Sequence, residues 1–327
     1  MRGWFVALWL IASPVFAAPL AELKMLSEHA VEGMVGGNLS GLASCNGELW
    51  TVSDRDDALL YRLDTSSVVW KAEANTIDVP TVPDSGLALS VRSMVGASSL
   101  VRGGALDFEG VTCDAAGNRY LVSEGYAAVL QVPVSGAPSW LKLPPSLVRQ
   151  ARAKGMLQHF NAIFEGIAIN PAGDRLWLAA ERQKRGLLVV HRDQAAWSCK
   201  GGCVILSEAG KQTMPAQMDS REAPKDFSDI SLFNGKLFTL ERAAYRVCRR
   251  DLDTGKVELC WSFADDALVP SRRYSQPYGL AEALVIDAEG AWIGVDNNFG
   301  ARADGEKRPI VWRFAEIGRA SCRERVS

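Results

Sequence analysis

The chain has 327 residues, 48% of them hydrophobic, and 36 basic against 38 acidic side chains leave a formal charge of −2. That length can bury a large core, in one big domain or two ordinary ones. The balanced charge argues against nucleic acid as a partner, which would ask for a basic face, but leaves room for small anions held by local arginines.

Residues 1–17 read as a secretion signal. Arg2 gives the positive start, Trp4 to Ala12 the apolar stretch, and Val15-Phe16-Ala17 a small-residue cleavage site. A membrane anchor is the alternative, but the run is short for a full span. Cleavage near Ala17 predicts a periplasmic or secreted protein. No later stretch is apolar enough to cross a membrane, so the mature chain is expected to be soluble and monomeric.

From residue 40 onward short apolar runs alternate with Gly, Asp and Asn turns, the mark of a β-rich chain. One pattern recurs in five copies, at 40–63, 109–132, 165–190, 228–249 and 282–314. Each runs from an acid or serine through an apolar strand, a turn, a second strand, another acid and a third strand. Glu109 to Glu165 is 56 residues, Glu165 to Asp229 is 64, and Asp229 to Glu282 is 53. Repeats of about 50 residues are characteristic of propeller blades. The longer interval between Ser40 and Glu109 holds either a diverged blade or a long insertion. The expectation is an all-β fold, a single β-propeller over 18–317 with six blades, five and seven being the alternatives. Residues 144–160 carry the one helical pattern, with Leu147, Val148, Ala151, Met156 and Leu157 on one side, and predict a short helical insertion over one end of the disc.

Seven cysteines suit an exported chain. Cys248 and Cys260 lie symmetrically about the turn at Asp253-Thr254-Gly255, so cross-strand pairing is natural there. Cys199 and Cys203 enclose a flexible Lys-Gly-Gly loop. Cys45 and Cys113 pair by elimination. Cys322 lies in the basic stretch 318–327, which reads as a disordered, appended tail outside the fold.

In a propeller the first acids (Glu109, Glu165, Asp229, Glu282) begin inner strands, and the second acids (Asp54, Glu124, Glu181, Glu241, Asp296) end their antiparallel neighbours. Both sets are therefore expected at one mouth of the central channel. So many carboxylates need protons or a cation. Oxygen ligands with only His29, His159 and His191 in the chain favour calcium or magnesium over zinc. Arg55, Arg182 and Arg242 directly follow an acid, and Asn297 follows Asp296. The plainer alternative is that these acids cap turns and tie blades together without a ligand. No Gly-x-Ser-x-Gly elbow, Walker loop or dinucleotide fingerprint is present. Metal-assisted hydrolysis is the enzyme chemistry that remains.

The stretches "DFEGVTCDAAGNRYLVSE", "NAIFEGIAINPAGDRLWLAAE", "FSDISLFNGKLFTLERAAYRV" and "GVDNNFG" resemble the exported phytase-like domain called esterase-like activity of phytase, over about Leu39 to Phe314. The resemblance implies a β-propeller that hydrolyses phosphoesters or related esters, with calcium at an acidic channel mouth. It marks Glu109, Glu165, Glu241 and Asp296 as acidic motif positions and Arg242 and Asn297 as their polar companions. Glu282-Ala283 departs from the Glu-Gly of the pattern. The expected site is thus Glu165, Glu241, Arg182 and Arg242 as catalytic groups. Glu109, Glu124, Glu165, Glu181, Asp229, Glu241, Glu282, Asp296 and Asn297 would be metal ligands, and Arg55, Arg182 and Arg242 would hold a small anionic ester. A non-catalytic propeller that binds a ligand or partner, and a lactonase-type sugar-acid hydrolase, are the other readings.

Overall fold

The computed structural model of the chain describes residues 20–102, 104–276, 278–315 and 317. The expected signal segment 1–17 and the tail 318–327, with Cys322, lie outside the described residues. Blade 1 consists of Gly41–Cys45, Glu48–Val52, Leu59–Asp64 and Trp70–Thr76. Blade 2 consists of Phe108–Cys113, Arg119–Ser123, Ala128–Val132 and Ser139–Trp140. In blade 3, Phe164–Ile169, Arg175–Ala180 and Lys184–Asp193 are followed by Ala196–Ser198 and Val204–Ala209, which share the outer edge of the long third strand. Blade 4 consists of Asp229–Phe233, Lys236–Glu241, Arg246–Arg250 and Val257–Ser262. Blade 5 takes Ala281–Asp287, Gly290–Val295 and Ile310–Ala315, and borrows its outer strand, Met25–Glu32, from the start of the domain. That exchange fastens the two ends of the ring together.

Among the described residues the ring closes with five blades, not six. The inner strand of each blade packs beside the next, and that of blade 5 returns to blade 1. There are five buried apolar clusters, one in each cleft between neighbouring blades. The interval expected to hold a sixth blade is an insertion instead. Its first part, Trp70–Thr76, is the outer strand of blade 1, and its second part is helix α1, Leu89–Arg102. Leu87, Val91 and Val95 are buried four residues apart, a helical spacing that reads as a strand when only the apolar run is considered. Helix α2, Ser146–Ala153, lies within the predicted 144–160 but is shorter, since Met156 and Leu157 fall beyond its end. Its buried Leu147, Val148 and Ala151 join the cluster between blades 2 and 3, so it fills the outer part of that cleft.

Glycine explains how the inner strands come so close. A Cβ on Gly41 would lie 2.7 Å from Gly110 Cα, one on Gly110 2.7 Å from the Glu165 carbonyl, and one on Gly166 2.7 Å from Ile230 N. No side chain fits at such distances. Three disulfides are formed, Cys45–Cys113, Cys199–Cys203 and Cys248–Cys260, as expected. The first ties blade 1 to blade 2 at the face away from the acidic mouth. No described helix is long and apolar enough to cross a membrane.

Candidate functional site

The site arises from one irregularity repeated in three blades. In blades 2, 3 and 5 the pairing of the first two strands jumps between Phe108 and Gly110, Phe164 and Gly166, and Ala281 and Ala283. The residues left over are Glu109, Glu165 and Glu282. A bulge bends its strand and re-aims the unpaired side chain. Here it delivers three glutamates to one cavity of about 530 Å³ at the mouth of the ring.

The second strands supply the other half. Val52, Val122, Ala179 and Gly294 face Gly41, Gly110, Gly166 and Ala283 across the ladder. Two residues further on stand Asp54, Glu124, Glu181 and Asp296. In blade 4 the residue facing Asp229 is Leu240, so the same offset lands on Arg242. A guanidinium thus occupies the place of the fifth acid. Arg242 contacts Glu181, Glu282 and Asp226 at once, the last at 3.3 Å. Burial alone would ease its proton off, but Glu282, Glu181, Glu165 and Asp226 outweigh burial and hold it firmly charged.

The carboxylates outnumber the cations around them. Glu124, Glu165 and Glu181 have ligand oxygens within 4.8 Å of one another, and so do Asp54, Asp107 and Glu109. Oε1 of Glu124 accepts from Ile163 N at 3.0 Å, whereas its Oε2 is buried with no partner, as are Oε2 of Glu181 and Oε2 of Glu282. Burial, and then the neighbouring carboxylates, push Glu109, Glu124 and Glu165 well above the usual carboxylate range. Glu181 is also raised by burial, although Arg242 and Arg182 pull the other way. Burial carries Glu282 to about 8 against Arg242, and Asp296 to about 7 against the hydrogen bond from Asn298 N. Arg55 pairs with Asp54 at 3.0 Å and lies against the Phe299 ring, while Arg182 pairs with Glu181 and keeps a third of its side chain in solvent.

Of the residues expected here, Glu109, Glu165, Glu181, Glu282, Asp296, Arg55, Arg182 and Arg242 line the cavity, and Glu124 stands against Glu165 and Glu181. Three others do not join them. Asp229 sits where Gly110 and Gly166 sit in their blades, and its carboxylate accepts from Ile230 N and Leu284 N at 2.7 Å each. It ties blade 4 to blade 5 and takes no part in the mouth. Glu241 points to the opposite face of its strand, into Arg185 at 3.0 Å, Arg250 at 2.7 Å and Arg246. Burial would raise Glu241, but these three guanidiniums outweigh it and hold the carboxyl low. Both displacements have one cause: blade 4 is offset by one residue from the expected alignment, and one residue reverses a strand side chain. Asn297 turns away to donate to the Lys307 carbonyl at 2.6 Å, and Asn298 lines the cavity in its place.

Asp107, Asp226, Asn161 and Tyr278 are site residues that the repeat pattern passed over. The signal for the two aspartates was present. Asp-Phe recurs in "LDFEG" and "KDFSD", and aligning on it puts Asp226 beside Asp107, Ser228 beside Glu109 and Asp229 beside Gly110. The structure bears out that alignment. For Asn161 and Tyr278, which lie outside the copies, the repeats carry no signal.

A family model described as phytase-like, esterase-like activity of phytase, matches residues 35–303. No curated protein matches the chain in sequence. Among solved structures, glutaminyl cyclase of Myxococcus xanthus is similar at 12% identity and a TM-score of 0.49, covering 91% of this chain and 99% of its own. The PQQ-bound aldose sugar dehydrogenase of Streptomyces coelicolor is similar at 14% identity and a TM-score of 0.45, covering 91% and 100%. Virginiamycin B lyase of Staphylococcus aureus is similar at 12% identity and a TM-score of 0.40, covering 89% and 74%. The blade architecture rests on the chain's own strand pairing, in which the outer strands of blades 5 and 1 join those two blades in one eight-stranded sheet.

Proposed function

The chain belongs to the phytase-like family, and from that premise we propose that it is an exported hydrolase of phosphoesters or related esters, assisted by a divalent cation in the acidic mouth. The observation that carries the proposal is the trio Glu124, Glu165 and Glu181. Their oxygens gather within 4.8 Å, and Oε2 of both Glu124 and Glu181 is buried without a partner. Buried acceptors left unmade are costly, and a hard cation satisfies them. An all-oxygen donor set fits calcium or magnesium better than a softer metal, and we favour calcium. When bound, it supplies the positive charge that lets neighbouring carboxylates ionise together and attracts a phosphoryl oxygen.

The chain's own groups do the rest. Arg182, partly in solvent at the rim, is placed to meet an incoming anion. Arg242 holds Glu181 and Glu282 in position from the floor of the cavity. Asp296, raised to about 7 by burial, can exchange a proton with an attacking water near neutral pH, and it takes the role expected of Glu241. Three disulfides accord with an oxidising compartment, the periplasm or the medium.

The test is hydrolysis of 4-nitrophenyl phosphate and 4-nitrophenyl acetate with added calcium, magnesium or manganese. Turnover that a chelator abolishes and that Glu165→Gln lowers at least tenfold is expected. No turnover of either substrate with any of the three cations would overturn the proposal in favour of a non-catalytic binding protein.

A further inference from the structure

The acidic cavity is not charged all round. Seven carboxylates, three guanidiniums and two asparagines line most of it, and the rest of the lining is Ala223, Pro224, Ala243, Tyr278 and Leu280. These five make one continuous wall. The hairpin of Lys211–Thr213 and Glu222–Pro224 packs on the turn Arg242–Ala244. The segment leading into blade 5 lies against the same turn, so close that a Cβ on Gly279 would stand 2.6 Å from the Arg242 carbonyl. Ala223 and Pro224, then Ala243, then Tyr278 and Leu280 are therefore neighbours on the side of blades 4 and 5. Tyr278 keeps 47% of its surface in solvent, Pro224 is exposed and Ala223 half-buried, so a bound molecule can reach them. Ala243 and Leu280 close the wall behind them.

The charges decide what else fits beside that wall. All three guanidiniums already face carboxylates, Arg55 at Asp54, Arg182 at Glu181, and Arg242 at Glu181, Asp226 and Glu282. One divalent cation and the solvent-facing part of Arg182 balance one phosphoryl group, which carries about two negative charges. Each further phosphate would meet the surplus of carboxylates. An uncharged apolar body meets no such opposition, and its contact with the wall removes both surfaces from water.

We propose that this wall selects the non-reacting part of the substrate, with Tyr278 as its specificity-determining residue, so that the favoured class is monoesters of compact apolar alcohols and not of polyphosphorylated ones. The proposal rests on the reading of the acidic cavity as an ester-hydrolysing site and narrows its substrate. In that reaction water oxygen bonds to phosphorus, the bond from phosphorus to the alcohol oxygen breaks, and a proton of water passes to that oxygen.

The test compares methyl phosphate, benzyl phosphate and benzyl phosphate carrying a 4-carboxylate, with calcium present, in wild type, Tyr278→Ala and Ala223→Asn, all as the full chain. Methanol and benzyl alcohol leave with similar ease, so differences in kcat/KM report binding of the ring. Binding of methylphosphonate and benzylphosphonate, which have no ester bond, is followed by calorimetry under the same conditions. In wild type the benzyl ester is expected to exceed the methyl ester roughly fivefold in kcat/KM, the gain from half-burying one ring. The ring carboxylate should cancel that preference, either variant should at least halve it, and the phosphonates should bind in the same order. The wild-type series decides the matter even where a variant fails to fold. If benzylphosphonate binds more tightly than methylphosphonate while no ester is cleaved, the wall stands and the hydrolase reading falls. If the esters are cleaved without preference for the uncharged ring and the two phosphonates bind equally, the hydrolase reading stands and the wall proposal is overturned. Neither turnover nor binding would overturn both.

Discussion

Replacing Glu124 by glutamine separates the cost of a buried carboxyl from its use as a ligand, because the two effects have opposite signs. In the metal-free protein burial, and then Asp107 and Glu181, push Glu124 well above its ordinary value, while Ile163 N and Arg182 oppose them only partly. A carboxyl raised on folding lends stability below its unfolded value near 4.5 and loses that contribution as pH climbs through its folded value. Glutamine has the shape of the protonated acid, can keep the bond from Ile163 N, and does not titrate. Metal-free Glu124→Gln should therefore match wild type near pH 5 and become the more stable of the two as pH rises to 8. With calcium the order reverses. At a concentration 100 times its dissociation constant, a ligand of the folded state adds ~2.7 kcal/mol. If loss of one carboxylate of the trio weakens binding tenfold, about 1.4 kcal/mol of that gain remains. The difference, about 1.3 kcal/mol, corresponds to ~2 °C in a chain of this size. Calorimetric melting at pH 5 and 8, in chelator and in a calcium series, reads both effects. Equal calcium-induced shifts in variant and wild type would refute the assignment of Glu124 as a ligand. A metal-free variant less stable than wild type at pH 8 would refute the account of the buried charge.

Arg242→Met strands Glu181, Glu282 and Asp226 around an apolar side chain, and breaking such buried pairing should cost ~3–5 kcal/mol in denaturant unfolding with chelator present. Calcium should restore part of that loss, and a variant as stable as wild type in chelator would contradict the role given to Arg242. Glu241→Gln should leave calcium-induced stabilisation intact, because its partners are Arg185, Arg246 and Arg250 and not the cavity. Since those arginines hold Glu241 below its ordinary value, its contribution is present above pH ~4.5 and is lost as pH falls through the folded value. Acid unfolding should accordingly be shallower in the variant, and an unchanged acid profile would count against the pairing. Gly110→Ala brings a methyl within 2.7 Å of the Glu165 carbonyl and should destabilise by ~1–3 kcal/mol while lowering turnover by moving Glu165; a melting temperature equal to wild type would mean that blades 2 and 3 are not held that close.

Much of this protein is legible from residue order. Alternating apolar runs broken by Gly, Asn and Asp turns announce strands, and five copies at a spacing of about 50 residues announce blades. An acid before four of the five inner strands and another after each neighbouring strand places charge at one mouth, since antiparallel neighbours bring start and end to the same edge. The symmetric spacing of Cys248 and Cys260 about their turn likewise specifies a cross-strand bridge.

What the spacing of the copies alone could not decide was which acids meet. Side chains on a strand alternate, so a shift of one residue in aligning the fourth copy moves Asp229 and Glu241 off the site and puts Arg242 on it. The bulges that turn Glu109, Glu165 and Glu282 into the cavity appear only once the second strand is laid beside the first. The blade count depended on whether "SGLALSVRSMVG" packs by its two-residue or its four-residue periodicity, and only a neighbouring surface makes that choice. Residue types and their spacing therefore determined the fold class and the chemistry on offer. Register and packing, which are long-range properties, decided the number of blades and the members of the site.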